Sequence, residues 1–108
     1  MISNYEDEFN KHLRCVKEKE DHVAFAFALE GMRENKENSI KFNEFRKSVI
    51  YKKILLKALK HFRKIVQEEE KNIVKYGYGA SEHYIDKDFH KANKKRLKLL
   101  EEEAKNLT

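Results

Sequence analysis

The sequence has no proline, no tryptophan and only three glycines in 108 residues. Proline breaks helices by removing a donor and clashing with the preceding turn, and glycine weakens them entropically. Their scarcity leaves little to interrupt long helices. The single cysteine, Cys15, excludes an intramolecular disulfide and favours a reducing compartment. No apolar run approaches the roughly 20 residues of a membrane span. The acidic opening Glu6, Asp7, Glu8 is unlike a signal peptide. A cytoplasmic chain that does not associate with membranes is expected. Phosphate-cradling glycine loops, HExxH and Ser-His-Asp contexts are all missing, which argues against an enzyme.

Charged residues make up 40% of the chain and hydrophobic residues another 40%, with a formal net charge of +5. The apolar residues are large and regularly spaced, so a folded domain is expected rather than disorder. One domain spanning 1–108 suffices at this length. Lys, Glu, Leu and Ala are all good helix formers. The predicted fold class is therefore all-α: a three-helix bundle with long helices, or four helices if the first breaks near Asp21.

The first helix starts after Ser3 or Asn4 and aligns Tyr5, Phe9, Leu13, Val16, Val23 and Phe27 on one face. Asp21, beyond the polar stretch Lys17 to Glu20, is a candidate cap for a second segment. Val23 to Leu29 alternates like a strand, but alanines fill the gaps and no partner strand is evident, so it is read as helix. Phe25, Leu29 and Met32 then form a second apolar face, which must pack against another neighbour. A polar turn over 33–39 leads to a helix capped by Asn38 or Ser39 and running unbroken to about Lys75. Its apolar face carries Ile54, Leu55, Ala58, Leu59, Phe62, Ile65 and Val66. Gly77 ends it as a left-handed cap. Ser81 or Asp86 caps the last helix, whose apolar side is Ile85, Phe89, Ala92, Leu100, Ala104 and Leu107.

Positive charge is concentrated. Residues 39–66 hold nine Lys or Arg against one Glu, whereas residues 1–38 hold six against nine acidic residues. Arg46, Lys53, Lys57, Lys60 and Lys64 fall within about 60° of each other on a helical wheel. Lys87, Lys91, Lys94 and Lys98 form a like stripe on the last helix. If adjacent, the stripes offer a surface to an acidic protein or to a phosphate backbone. A solvated helix face explains the same pattern. The stripes lack interleaved aromatics, so base readout and single-strand stacking are poorly supported.

Three residues have metal-ligand chemistry at helical spacing: His83, Asp86 and His90. The signal is weak, since three such residues on one helix are common by chance, and surface or interface histidines beside a helix-starting Asp are the plainer explanation. Around His61, Lys64 resembles the spacing of phosphotransfer bundles, but Ile65 replaces the glycine that lets a partner approach. Tyr76, Tyr78 and Tyr84 crowd one loop with two glycines, and such loops often anchor partners.

The expectation from sequence is a non-enzymatic helical adaptor or inhibitor, of the kind phages and mobile elements encode, that needs no cofactor. Its interface is assigned to Phe25, Leu29 and Met32 with Tyr76, Tyr78 and Tyr84. Self-association through Phe25, Leu29 and Met32 follows from the same reading. Nucleic-acid binding through the basic stripes is the first alternative. Metal binding at His83, Asp86 and His90 is the second.

Overall fold

A computed structural model describes residues 4–33, 35–77 and 86–107. All regular structure in them is helical. Five α-helices follow in order: α1 (Asn4–Lys19), α2 (His22–Gly31), α3 (Lys36–Arg46), α4 (Tyr51–Tyr76) and α5 (Lys87–Ala104). A 3-10 turn, Lys105–Leu107, closes the chain. The all-α class is as read from sequence, but the described residues form five α-helices, not three or four.

The first break falls where sequence placed it. Glu20 adopts φ 50°, a left-handed conformation unusual for a residue with a Cβ. Asp21 then caps α2: its Oδ1 accepts from the backbone N–H groups of Val23 at 3.0 Å and Ala24 at 3.1 Å.

The second break corrects the expectation of one helix from Ser39 to Lys75. It falls at residues 47–50, where no glycine or proline announces it. The N–H of Lys47 reaches back to Glu44, and that of Ser48 to Phe45. Val49 at the corner is 99% exposed. The reason lies in the core. Phe42 and Tyr51 are nine positions apart, and at about 100° per residue a straight helix would send them to opposite faces. Bending the chain brings both onto Phe25, with ring centroids 5.6 Å and 6.0 Å away. Phe45 joins them at 6.0 Å. Packing four aromatic rings together outweighs the local preference to continue the helix.

Helix α2 is the hub. It packs against α1, α3, α4 and α5. Its two apolar sides are covered as their greasiness demanded, with Phe25 fully buried and Leu29 nearly so. Phe9, Leu13 and Val16 approach from α1, and Leu55, Leu59 and Phe62 from α4. Leu99 and Leu100 approach from α5. At its end Gly31 lets α1 come close, since a Cβ there would lie 3.1 Å from the Phe9 ring. Asn35 caps α3, in place of the predicted Asn38 or Ser39. Those two instead tie α3 to α2. Asn38 Nδ2 donates to the Gly31 carbonyl at 3.0 Å, and Ser39 Oγ donates to the Met32 carbonyl at 2.9 Å.

The long helix α4, about 39 Å at 1.5 Å per residue, leaves this core after Val66. It ends at Gly77, where the sequence placed the stop, but with φ 76° and ψ 179° the glycine is extended at positive φ and not the left-handed helical cap expected. Asp86 caps α5, donating no proton but accepting from the N–H groups of Asp88 and Phe89. The radius of gyration is 15.4 Å. A compact chain of this length would have about 13 Å. The excess reflects the extended α4–α5 pair.

Candidate functional site

Helices α4 and α5 run antiparallel, and three features line their seam. At one end Glu103 of α5 is 5% exposed. It accepts two hydrogen bonds from Arg46, each 2.7 Å, and a third from the Tyr51 hydroxyl. Burial, and then the hydrogen bond to Glu103, push the Tyr51 phenol far above its usual pKa. The Glu103 hydrogen bond likewise raises Arg46, so the guanidinium stays charged. Arg46 also covers the Phe42 ring at 4.9 Å. This network is a bolt across the fold, and it removes Arg46 from the basic stripe that sequence assigned to it.

At the far end a second network replaces apolar contacts. His90 is 5% exposed, and its Nδ1 lies 2.9 Å from Glu69 Oε1. Asn93 Nδ2 donates to the other carboxylate oxygen at 3.2 Å. The face of α5 turned inward is therefore His90, Asn93, Leu99, Leu100 and Glu103. Phe89, expected on the apolar side, is instead 67% exposed. The packing face of α5 is more polar than its neighbours allow one to guess, because each polar group meets a partner on another segment.

Between these networks lies an open groove of about 910 Å³. Val66 of α4 and Ala92 and Leu97 of α5 supply its apolar lining. Arg63, Lys91, Lys94, Lys95 and Lys98 line it too, as do Glu70, Asp88 and Glu101. Five cations thus stand against three carboxylates. Two exposed ion pairs span the helices: Arg63 with Glu101 at 3.7 Å and Lys94 with Glu70 at 3.9 Å. Pairs so exposed are weak and exchangeable.

The predicted residues are placed as follows. Lys57, Lys60, Lys64, Lys87, Lys91, Lys94 and Lys98 are all exposed. Lys53 is exposed and pairs with Glu20 at 3.3 Å. The groove unites Lys91, Lys94 and Lys98 with Arg63, while the α4 stripe of Lys53, Lys57, Lys60 and Lys64 does not line it. The assignment of Phe25, Leu29 and Met32 to an interface is corrected. Phe25 and Leu29 are consumed by the chain's own core, and Met32 packs half-buried against it. Tyr76 is 40% exposed under the Lys75 ammonium, at 5.3 Å, whereas Tyr78 and Tyr84 lie outside the described residues. Val74 and Phe89 are exposed at the same end of the α4–α5 pair.

Of the proposed metal ligands, His83 lies outside the described residues. Asp86 spends Oδ1 on capping, and His90 is held by Glu69. Among the described residues no cluster of three or more His, Cys, Asp or Glu side chains could hold a metal ion. His61 lies edge-on to His22, 4.7 Å between centroids. Cys15 is half-buried at the margin of the core. The groove was not singled out from sequence. Its only sequence signal was the α5 lysine stripe; Arg63 and Val66 belong to it through helix pairing alone.

No known protein family, no curated protein and no solved structure matches this chain. No helix among the described residues is long and apolar enough to cross a membrane.

Proposed function

We propose that this chain is a non-enzymatic interaction protein, an adaptor or inhibitor acting in the cytoplasm, which seats a protein partner in the α4–α5 groove. The observation that carries the reading is the groove itself: Ala92 and Leu97 stay partly exposed over buried Val66, beside a rim of long basic side chains. Surfaces of this kind, apolar at the centre and polar at the edge, are how helical proteins hold partners. The single cysteine supports a reducing compartment.

Photo-crosslinking in the source host tests it. A photoreactive side chain at Ala92 should trap a discrete protein adduct, and one at exposed Lys36 should not. Absence of an adduct at Ala92 overturns the reading.

Nucleic-acid binding is the second reading. It is favoured by Lys57, Lys60 and Lys64, which are exposed on one face of α4 and have no ion-pair partner among the described residues. It requires salt-sensitive retardation of duplex DNA or RNA that Lys57→Glu with Lys60→Glu abolishes. An unshifted duplex at low salt removes it.

A further inference from the structure

We infer that the occupant of the α4–α5 groove is an acidic amphipathic helix of about four turns, lying along α5. The inference rests on the docking reading and adds the chemistry of the partner. Three observations select it.

The first is shape. The groove is an open trough, lined along α5 from Asp88 to Glu101. Thirteen steps at 1.5 Å span about 20 Å, enough for three to four turns of a parallel rod. An antiparallel helix pair that leaves Ala92 and Leu97 partly exposed along its seam can be completed by a third helix, whose anchors at i, i+3 or i+4, and i+7 drop between the two ridges. Val66, Ala92 and Leu97 give those anchors a floor, with Ala92 small enough to admit a leucine.

The second is charge. Lys91, Lys94 and Lys98 recur every three or four residues, so their ammonium groups follow one edge through the middle half of the trough. Their methylene stems extend the apolar wall while the heads stay in water. A partner helix therefore meets carbon at its centre and cations along its flank, which calls for glutamates beside its leucines. A second copy of this chain would bring the same cations to the same edge and repel. A phosphate backbone would find Glu70 facing Lys94, Glu101 at the end of the trough and an apolar floor it cannot use.

The third is exchange. Lys94 already faces Glu70 at 3.9 Å, and Arg63 faces Glu101 at 3.7 Å, in exposed pairs. An arriving glutamate replaces one weak carboxylate contact by another, without leaving a buried charge unpartnered. Asp88 and Glu101 stand at the two ends of the lined stretch, so the best partner is acidic in the middle and neutral or basic at its tips.

The test uses the full chain and three fluorescent probes of matched length. One is a synthetic amphipathic helix of about sixteen residues, with leucine anchors and glutamate flanks. The second is the same peptide with lysine flanks, and the third is a DNA duplex. Anisotropy should show the glutamate helix binding at least about tenfold more tightly than its lysine twin. Lys91→Glu with Lys98→Glu should invert that order, and Lys57→Glu should leave it unchanged. Leu97→Glu should abolish binding of both helices, with circular dichroism confirming that each variant remains helical. Equal binding of the two helices, or no binding of either, overturns the inference. So does duplex binding that depends on Lys91 and Lys98. A protein adduct at Ala92 together with a silent glutamate helix would keep the docking reading and discard only the acidic partner; no adduct discards both.

Discussion

The two halves of α4 are held by different physics. From Tyr51 to Phe62 the helix is set in carbon, with Ile54, Leu55, Ala58, Leu59 and Phe62 buried against α2 and the aromatic rings. Beyond Val66 it meets α5 through Glu69, His90 and Asn93, with exposed ion pairs outside them. Non-directional apolar burial supplies most of a domain's stability. Polar networks contribute less net energy but fix geometry and leave the neighbouring surface wet. The molecule thus separates an anchored half from a presenting half, and the groove belongs to the second.

The comparison is best broken at its strongest point. Phe25 is 0% exposed and touches Phe42, Phe45 and Tyr51. Phe25→Ala should cost about 3–5 kcal/mol, because the cavity is walled by rigid rings from α3 and α4 and cannot readily collapse. Against a total stability of about 5–15 kcal/mol, that brings the chain near unfolding. Urea denaturation followed by circular dichroism measures it. A loss below about 1 kcal/mol would mean that the aromatic cluster is not what anchors this half.

The next effect is at the bolt that closes the anchored half. Glu103→Gln removes the charge that Arg46 and Tyr51 converge on. Breaking a buried pair costs about 3–5 kcal/mol. Arg46 is 31% exposed, so solvent softens the loss to about 2 kcal/mol. Replacing Glu69 by Ala should cost less again, about 1–2 kcal/mol, since it strands His90 and Asn93 without a carboxylate. Hydrogen exchange distinguishes the two variants. Glu103→Gln should lower protection throughout, whereas Glu69→Ala should speed exchange only in the second half of α4 and the start of α5. Uniform acceleration in both would erase the distinction between the halves.

How much of this could be read from the chain follows the same division. The anchored half was legible where apolar spacing was strong. Ile54 through Val66 lie on one face, Asp21 caps a helix, and the two-sided greasiness of α2 demanded two neighbours. The break at 47–50 was not legible, because its cause is the convergence of Phe42, Phe45 and Tyr51 on a residue about twenty positions earlier. Periodicity reports faces of one helix, not a bend imposed by a distant ring. The interface assigned to Phe25 and Leu29 failed for the same reason, since an apolar stripe does not reveal whether its own chain covers it. In the presenting half the lysine stripe of α5 was visible, but its pairing with Arg63 and Val66 needed the antiparallel register. His90 drew notice as a metal ligand. Its partner Glu69, twenty-one residues away, has no local signature.

The smallest effect sharpens the boundary between the halves. His22, at the start of α2, lies edge-on to His61 of α4. Burial lowers its pKa below the ordinary 6.5, the neighbouring His61 and Lys57 lower it further, and Asp21 opposes them. The folded state therefore binds a proton at this site less readily than the unfolded chain does. Stability from neutral His22 is fully present above pH 6.5 and is lost as pH falls through the lower folded value. Carboxylates elsewhere titrate in acid as well, so the useful measurement is the difference in melting temperature between wild type and His22→Gln. That difference should turn against the wild type on going from pH 7 to pH 5, and His61→Gln should shrink it. Because the imidazole is only partly buried, the shift should be a few degrees at most. A difference that stays flat with pH would mean that the α2–α4 junction does not sense the proton, and a difference moving the other way would mean that Asp21 dominates His22.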